Sequence, residues 1–260
     1  MRRLQLLETS DIPWFPAAIR RFETEFLSFL FSTFRVYHPA VPLLKEAMVA
    51  VGSDQILDLC SGSGGPLPGI KQLLERKYSL RIKIVLSDKF PRREHKDLTH
   101  PLPQELDYLI EPVDALDVPA GLNAFRTLFT SFHHFDPACA KQILADASAK
   151  APGIAVFEAT ERSLAAVLRE LFLPLTVLLL TPFVRPFSWK RLLWTYLIPA
   201  VPVVMLWNGI VSDLRSYTRS ELEALVESLE QNSFVWQTGT CRSFLSRITF
   251  LIGRKNSLSV

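Results

Sequence analysis

The residues whose spacing best suits chemistry lie in QILDLCSGSGG (55–65). There an apolar run ends in a carboxylate, Asp58, and then breaks into a turn carrying Gly62, Gly64 and Gly65. With no side chains in the way, a ligand can approach that backbone closely. The carboxylate restricts which ligand. Asp58 at the lip of the turn would repel a pyrophosphate, and Leu67 stands where a Gly-x-Gly-x-x-Gly dinucleotide turn has its third glycine. No Gly-x-x-x-x-Gly-Lys-Ser/Thr phosphate loop is present either. The turn suits a nucleoside that carries an ammonium group and no phosphate. A second cluster is FTSFHHFDP (129–137), whose His133 and His134 have the side chain best suited to proton transfer near neutral pH. Being adjacent, the two rings are expected to point in different directions, so that at most one enters a site. A third is WNGIVSDLRSYT (207–218). Its Arg215 offers a planar donor fork and, with Tyr217, could orient a bound carboxylate or phenol, or could equally hold the surrounding chain together.

The elements that must position these residues follow from hydrophobic pattern. Short apolar runs at QILDLC (55–60), RIKIVLSD (81–88), LDYLIEPVD (106–114), FRTLFTSF (125–132) and GIAVFEAT (153–160) alternate with helical stretches. One of these is 136–150, with Asp136 as N-cap and Pro137 in the first helical position. Strands alternating with helices imply right-handed β-α-β units and a doubly wound, mostly parallel α/β sheet covered on both faces. FVWQTGTCR (234–242) and FLSRITFLIGRK (244–255) alternate as two strands that close the sheet edge, making seven. Thr218 and Glu221 have capping-box spacing at the start of a helix over 218–231. In 22–34, Phe22, Phe26, Phe29 and Leu30 form the aromatic face of a helix, part of an N-terminal helical cap over 1–51. Asp58, Asp88 and Asp114 then end three consecutive strands on the edge where open α/β sheets bind ligands. A single aspartate at such a place is usually a turn cap. Three together point to a site.

On these residues the chain resembles the class I S-adenosylmethionine-dependent methyltransferases. Their first motif, a strand ending in an acid followed by Gly-x-Gly-x-Gly, stands here as Asp58-Leu-Cys60-Ser61-Gly62-Ser-Gly64, with Cys60 in place of the first glycine. The family's acid that binds the ribose hydroxyls matches Asp88, next to Lys89, and the acid that contacts the adenine amine matches Asp114, with Ala115 beside it. The resemblance covers about residues 50–160 and implies a Rossmann-like methyltransferase fold with S-adenosylmethionine as cofactor. Asp58, Ser61, Gly62, Gly64, Asp88, Lys89, Asp114, Ala115 and Ser131 are the expected cofactor residues. After strand four, where the family puts residues facing the acceptor, His133 is the expected acceptor-side base. His134, Trp207, Asn208, Arg215 and Tyr217 are the expected substrate contacts. A non-catalytic nucleoside-binding scaffold is the alternative from another class, and a nicotinamide-dependent reductase is a further enzyme alternative that Asp58 argues against.

Composition bounds the rest. The 260 residues are expected to form one domain with an insertion, and 48% apolar against 21% charged residues excludes a disordered chain. A net charge of +3 with dispersed basic residues gives no phosphate-tracking stripe, so no nucleic-acid partner is expected. Cys60, Cys139 and Cys241 are too few and scattered for a disulfide framework or a zinc site, and no metal is expected. Only Leu4 to Leu7 separate Arg3 from Glu8, too short for a signal-peptide core, so a cytoplasmic chain is expected. The insertion, 164–210, is different in kind. Residues 171–212 carry only Arg185, Lys190 and Arg191 as charges, together with five prolines and three tryptophans. Two readings stand: an apolar lid over a small hydrophobic acceptor, or a lid that also meets the inner membrane face. In the second, Trp189, Trp194 and Trp207 lie at headgroup level and the three basic residues face anionic lipid. Pro199 and Pro202 are expected to interrupt the run and argue against a spanning helix.

Overall fold

The continuous apolar runs fold as central strands buried on both faces, as parallel sheets between helices require. In the computed structural model, residues 1–12, 14–91, 106–229, 234–244 and 246–256 are described. Strands β1 (Gln55–Asp58), β2 (Lys83–Leu86), β3 (Leu106–Tyr108), β4 (Phe125–Phe129), β5 (Gly153–Glu158), β6 (Phe234–Arg242) and β7 (Arg247–Lys255) form one sheet in the order β3-β2-β1-β4-β5-β7-β6. The first five are mutually parallel, and β7 inserts antiparallel between β5 and β6. This is the seven-stranded Rossmann-like methyltransferase fold. Strand order reverses between β1 and β4, which opens a crevice at their carboxyl ends.

Helices α1 (Ala17–Thr33), α2 (Val41–Ala50), α3 (Leu67–Tyr78) and α4 (Pro137–Lys150) precede the insertion. One apolar core packs α2 and α3 on one face of the sheet, around Met48, Ile70, Ile84 and Phe157; the other packs α4 around Leu57, Leu128, Ile143 and Ile154. Asp136 caps α4 as its position implies, accepting the Cys139 N–H at 2.8 Å. The insertion forms α5 (Leu164–Glu170), α6 (Leu173–Leu180), α7 (Trp189–Leu192) and α8 (Ala200–Arg215), and α9 (Arg219–Glu227) follows with its Thr218–Glu221 capping box formed. A third core joins the insertion to α1 through Phe22, Phe26, Val177, Val201 and Met205.

Three expectations change. The run 106–114 is strand only to Tyr108, and Asp114 lies in the following loop, where the neighbouring Val113 N–H donates to the Asp88 carbonyl at 3.0 Å. Pro202 does not break the insertion: it sits in the first turn of α8, where its missing N–H costs nothing, and the chain bends by 77° ahead of it, around Pro199. Arg191 faces no lipid. It is buried, with Nη1 2.5 Å from Glu25 Oε2 and Nη2 on the carbonyls of Val184 and Pro186, because a guanidinium can satisfy several acceptors at once.

Candidate functional site

The glycine turn after β1 is held open by backbone conformation. Gly62, Gly64 and Gly65 have φ of 52°, 88° and 46°, and Cys60, where the family has glycine, also takes a left-handed φ of 56°. A Cβ on Gly64 would lie 3.2 Å from the Leu86 side chain. The turn is tied to β2 through the Ser61 N–H on the Ser87 carbonyl (3.0 Å) and to Asp88 through the Gly62 N–H on its Oδ2 (3.0 Å). Helix α1 covers it: Ser28 Oγ donates to the Gly65 carbonyl at 3.1 Å, and Ser63 Oγ to Thr24 Oγ1 at 3.0 Å.

A cavity of about 1150 Å³ opens beside this turn. Gly62, Asp88, Lys89, Asp114, Ala115 and Ser131 line it. Asp114 accepts the Leu116 N–H and pairs with Lys89 Nζ at 2.7 Å. Burial works against its charge, but the lysine and that N–H outweigh it and hold the carboxyl below its ordinary range. Ser131 Oγ is buried with no hydrogen-bond partner. Gly64 shapes the turn from behind.

Asp58 is not at the lip. Only 3% exposed, it lies behind the turn and accepts a hydrogen bond from Thr127 Oγ1 at 2.6 Å, while Ser61 Oγ bonds its carbonyl at 2.9 Å. Burial, aided by the charge of Asp88, pushes its carboxyl up to about 7 despite the Thr127 and Ser61 hydrogen bonds. The acid that faces the cavity at this point is Asp88.

The histidine pair also departs from expectation. Phe132–His134 form a single 3-10 turn rather than extended chain, so both rings point the same way, with centroids 4.5 Å apart, and both line the cavity. Each is held from behind by a carboxylate. His133 Nδ1 lies 2.6 Å from Glu158 Oε2, and His134 Nδ1 lies 2.9 Å from Asp11 Oδ1. Glu158 also accepts the N–H groups of Ser131 (3.0 Å) and Phe132 (2.7 Å) on its other oxygen, which fixes the turn as well as the ring. The two Nε2 atoms face Glu8, at 3.5 Å and 3.7 Å. Burial acts to lower the His133 pKa, but the charges and hydrogen bonds of Glu158 and Glu8 prevail and raise it to about 10. Both ring nitrogens of His133 thus face carboxylates, Glu158 at Nδ1 and Glu8 at Nε2.

The segment 207–218 builds the frame of the site. Asn208 lines the cavity and holds it together, accepting the Thr9 N–H (3.0 Å) and donating to Thr9 Oγ1 (2.8 Å) and Glu23 Oε1 (2.6 Å). Arg215 is not a substrate contact. It is buried, bridging the carbonyls of His133 and His134 and pairing with Asp11. Tyr217 donates to the Phe135 carbonyl at 2.7 Å with Arg3 over its ring, away from the cavity. Trp207 is on the outer face of α8, donating to the Leu7 carbonyl at 3.0 Å. Glu8, Asp11 and Glu158 are site residues that the sequence motifs do not mark. Glu158 ends an apolar strand just as Asp58 does, a pattern that would have found it; Glu8 and Asp11 come from a remote segment with no local signal.

No family model matches the chain, and no curated protein matches it in sequence. Among solved structures it is similar to magnesium protoporphyrin IX methyltransferase from Synechocystis PCC 6803 with bound SAH, at 12% identity over 93% of this chain and 95% of that one, with a TM-score of 0.48. It is also similar to a proposed O-methyltransferase from Nostoc punctiforme PCC 73102, at 13% identity over 98% of this chain and 64% of that one, with a TM-score of 0.50. Human N-acetylserotonin methyltransferase in complex with SAM is a third, at 14% identity, 98% and 63% coverage and a TM-score of 0.49. At these identities the likeness is one of fold.

Proposed function

We propose that this chain binds S-adenosylmethionine against the Gly62–Gly65 turn and transfers its methyl group to a small hydrophobic acceptor held under the insertion. The observation that carries the reading is one cavity with two unlike walls. On one side are a left-handed glycine turn and two acids from the loops after β2 and β3, Asp88 and Asp114; on the other is a carboxylate-held histidine pair. The cofactor fits this donor set: carboxylates suit ribose hydroxyls and a cationic ligand, the turn admits a close approach, and the buried, unpaired Ser131 hydroxyl faces the same space. When bound, the sulfonium supplies an electrophilic methyl group. The protein then needs chiefly to align donor and acceptor and to exclude water, which in well-oriented systems is worth up to about 7–11 kcal/mol. Helix α1 and the insertion, packed through Phe22, Phe26 and Met205, close that space from above.

The second wall of the insertion faces outward, and it supports contact with a membrane surface. Leu164–Phe183 is apolar enough to cross a bilayer, with a mean hydropathy of 1.9, yet only 17% of it is buried. Trp189 and Leu197 are 77% and 75% exposed, with Arg185 and Lys190 exposed beside them. Exposed apolar area of this extent, bordered by basic residues, suits an interface with anionic lipid. The bend at Pro199 suits a helix pair lying on a surface.

Calorimetry with S-adenosylmethionine and its demethylated product, followed by turnover against a panel of hydrophobic acceptors, tests the enzyme reading. Binding of both without turnover would favour a scaffold, and binding of NADH in their place would favour a reductase. Flotation with anionic liposomes at low salt tests the membrane contact, which absence of co-flotation would remove.

A further inference from the structure

From the side chains on the acceptor wall we infer a divalent transition-metal site, with Zn²⁺ as the fitting ion, ligated by His133 Nε2, His134 Nε2 and the Glu8 carboxylate. These three ligand atoms lie within 4.8 Å of one another. The Nε2 atoms of His133 and His134 stand 3.5 Å and 3.7 Å from Glu8 Oε1 and Oε2. That is longer than good hydrogen bonds, and it is close to the edge of about 3.3–3.6 Å that a tetrahedron with bonds of about 2.0–2.2 Å imposes on its ligands. His133 is 1% exposed and Glu8 3% exposed, and His133 Nε2 and Glu8 Oε1 meet only as a long ion pair, with Arg215 Nη1 also 3.5 Å from that oxygen.

The surroundings have the form of a metal centre's outer shell. Both imidazoles turn Nδ1 toward a carboxylate, Glu158 at 2.6 Å and Asp11 at 2.9 Å, the arrangement that fixes the tautomer and presents Nε2 to an ion. Two histidines so arranged side by side exceed what a single oriented base needs. Charge points the same way. Glu8, Asp11 and Glu158 are three carboxylates against one guanidinium in contact with them, Arg215, so the formal charge around the two imidazoles sums to minus two. A divalent cation neutralises it. Three protein ligands leave a coordination position free, and since all three line the cavity, that position opens toward the acceptor side. The site itself stands independently of the proposed methyl transfer. Resting on that reading, it narrows the acceptor to one that presents an oxygen donor, which the metal would hold and acidify.

Zn²⁺ alone, titrated into the metal-stripped full-length protein against a chromogenic chelator, tests the site, and Co²⁺ substitution reads its geometry. The expected result is one equivalent of tight Zn²⁺, with the visible bands of four-coordinate Co²⁺. Affinity should fall at least 30-fold in Glu8→Gln and in His134→Ala, while both variants keep the far-UV spectrum of the parent. Because His133 is deeply buried, Asp11→Asn serves as the milder variant, with an expected loss of about tenfold through His134. Stoichiometric uptake that Glu8→Gln and His134→Ala leave unchanged would overturn the site, and so would no uptake at all. Neither result depends on S-adenosylmethionine binding, so failure here and failure of the proposed function remain distinguishable.

Discussion

Asp58→Asn separates the functional from the structural reading of the acid behind the glycine turn. The carboxyl is buried, accepts one hydrogen bond from Thr127 and is held at about 7, where an ordinary aspartate lies at 3.8. Between those two values the folded chain retains a proton that the unfolded chain has lost. The stability Asp58 contributes is therefore fully present below about 4 and declines as pH rises toward 7. At about 1.4 kcal/mol per tenfold change in proton affinity, ionised Asp58 costs the fold about 4 kcal/mol above pH 7. Asparagine removes that cost and keeps an oxygen to accept from Thr127, but its amide needs an acceptor, an offset of about 1–2 kcal/mol. The net expectation at pH 8 is a gain of about 2 kcal/mol, or roughly 4–8 °C in melting temperature. At pH 4–5, where the parent is already protonated, no gain is expected. Thermal and urea unfolding from pH 4.5 to 8.5 measure this, and because Asp58 does not line the cavity, calorimetry at pH 8 should show S-adenosylmethionine bound about as tightly as by the parent. If Asp58→Asn loses stability at pH 8, or leaves the pH profile of the parent unchanged, no costly buried charge is present and the electrostatic argument fails.

Gly64→Ala forces a side chain to φ +88° and within 3.2 Å of Leu86, so it should cost about 1–2 kcal/mol in urea unfolding and weaken cofactor binding. Arg191→Met strands Glu25, leaving it only the 3.3 Å contact with Arg21, and should destabilise by about 3 kcal/mol. Adding Glu25→Leu should recover most of that loss in the same unfolding assay. Trp189→Ser with Leu197→Ser removes two exposed apolar side chains, so the melting temperature should stay within a degree or two while co-flotation with anionic liposomes falls roughly tenfold.

Much of the sheet was legible because its signals are local. The strand-to-glycine break at 55–65, the alternation of 234–242 and the Thr218–Glu221 cap each depend on neighbours in sequence, and each element formed there. The end of β3 was not, since the loop through Val113 is fixed by the carbonyl of Asp88 across the crevice. At the site, residue types pointed to the correct edge, but orientation did not follow from them. Whether an acid near a strand end faces the cavity, as Asp88 does, or lies behind the turn, as Asp58 does, depends on where the strand stops: Asp58 is the last residue of β1 and pairs with Leu86, and Asp88 lies two residues beyond that. From its fork Arg215 reads either as a ligand contact or as a strut for the surrounding chain, and the two histidine carbonyls and Asp11 decide for the strut by engaging all three of its nitrogens. The partners Glu8 and Asp11 are set more than a hundred residues from the histidines, by the packing of the N-terminal segment against α8, with Leu4 N–H on the Leu214 carbonyl.

Glu158 does more than hold one ring. Its Oε2 accepts from Thr160 Oγ1 at 3.2 Å, and Ser216 Oγ, just past the end of α8, reaches that same hydroxyl at 2.6 Å; Asp213 within α8 accepts the Glu161 N–H at 3.0 Å. The insertion is thus latched by short polar links to the carboxylate that aims His133. A tilt of α8 therefore pulls on the far end of this linkage and is passed to the ring of His133.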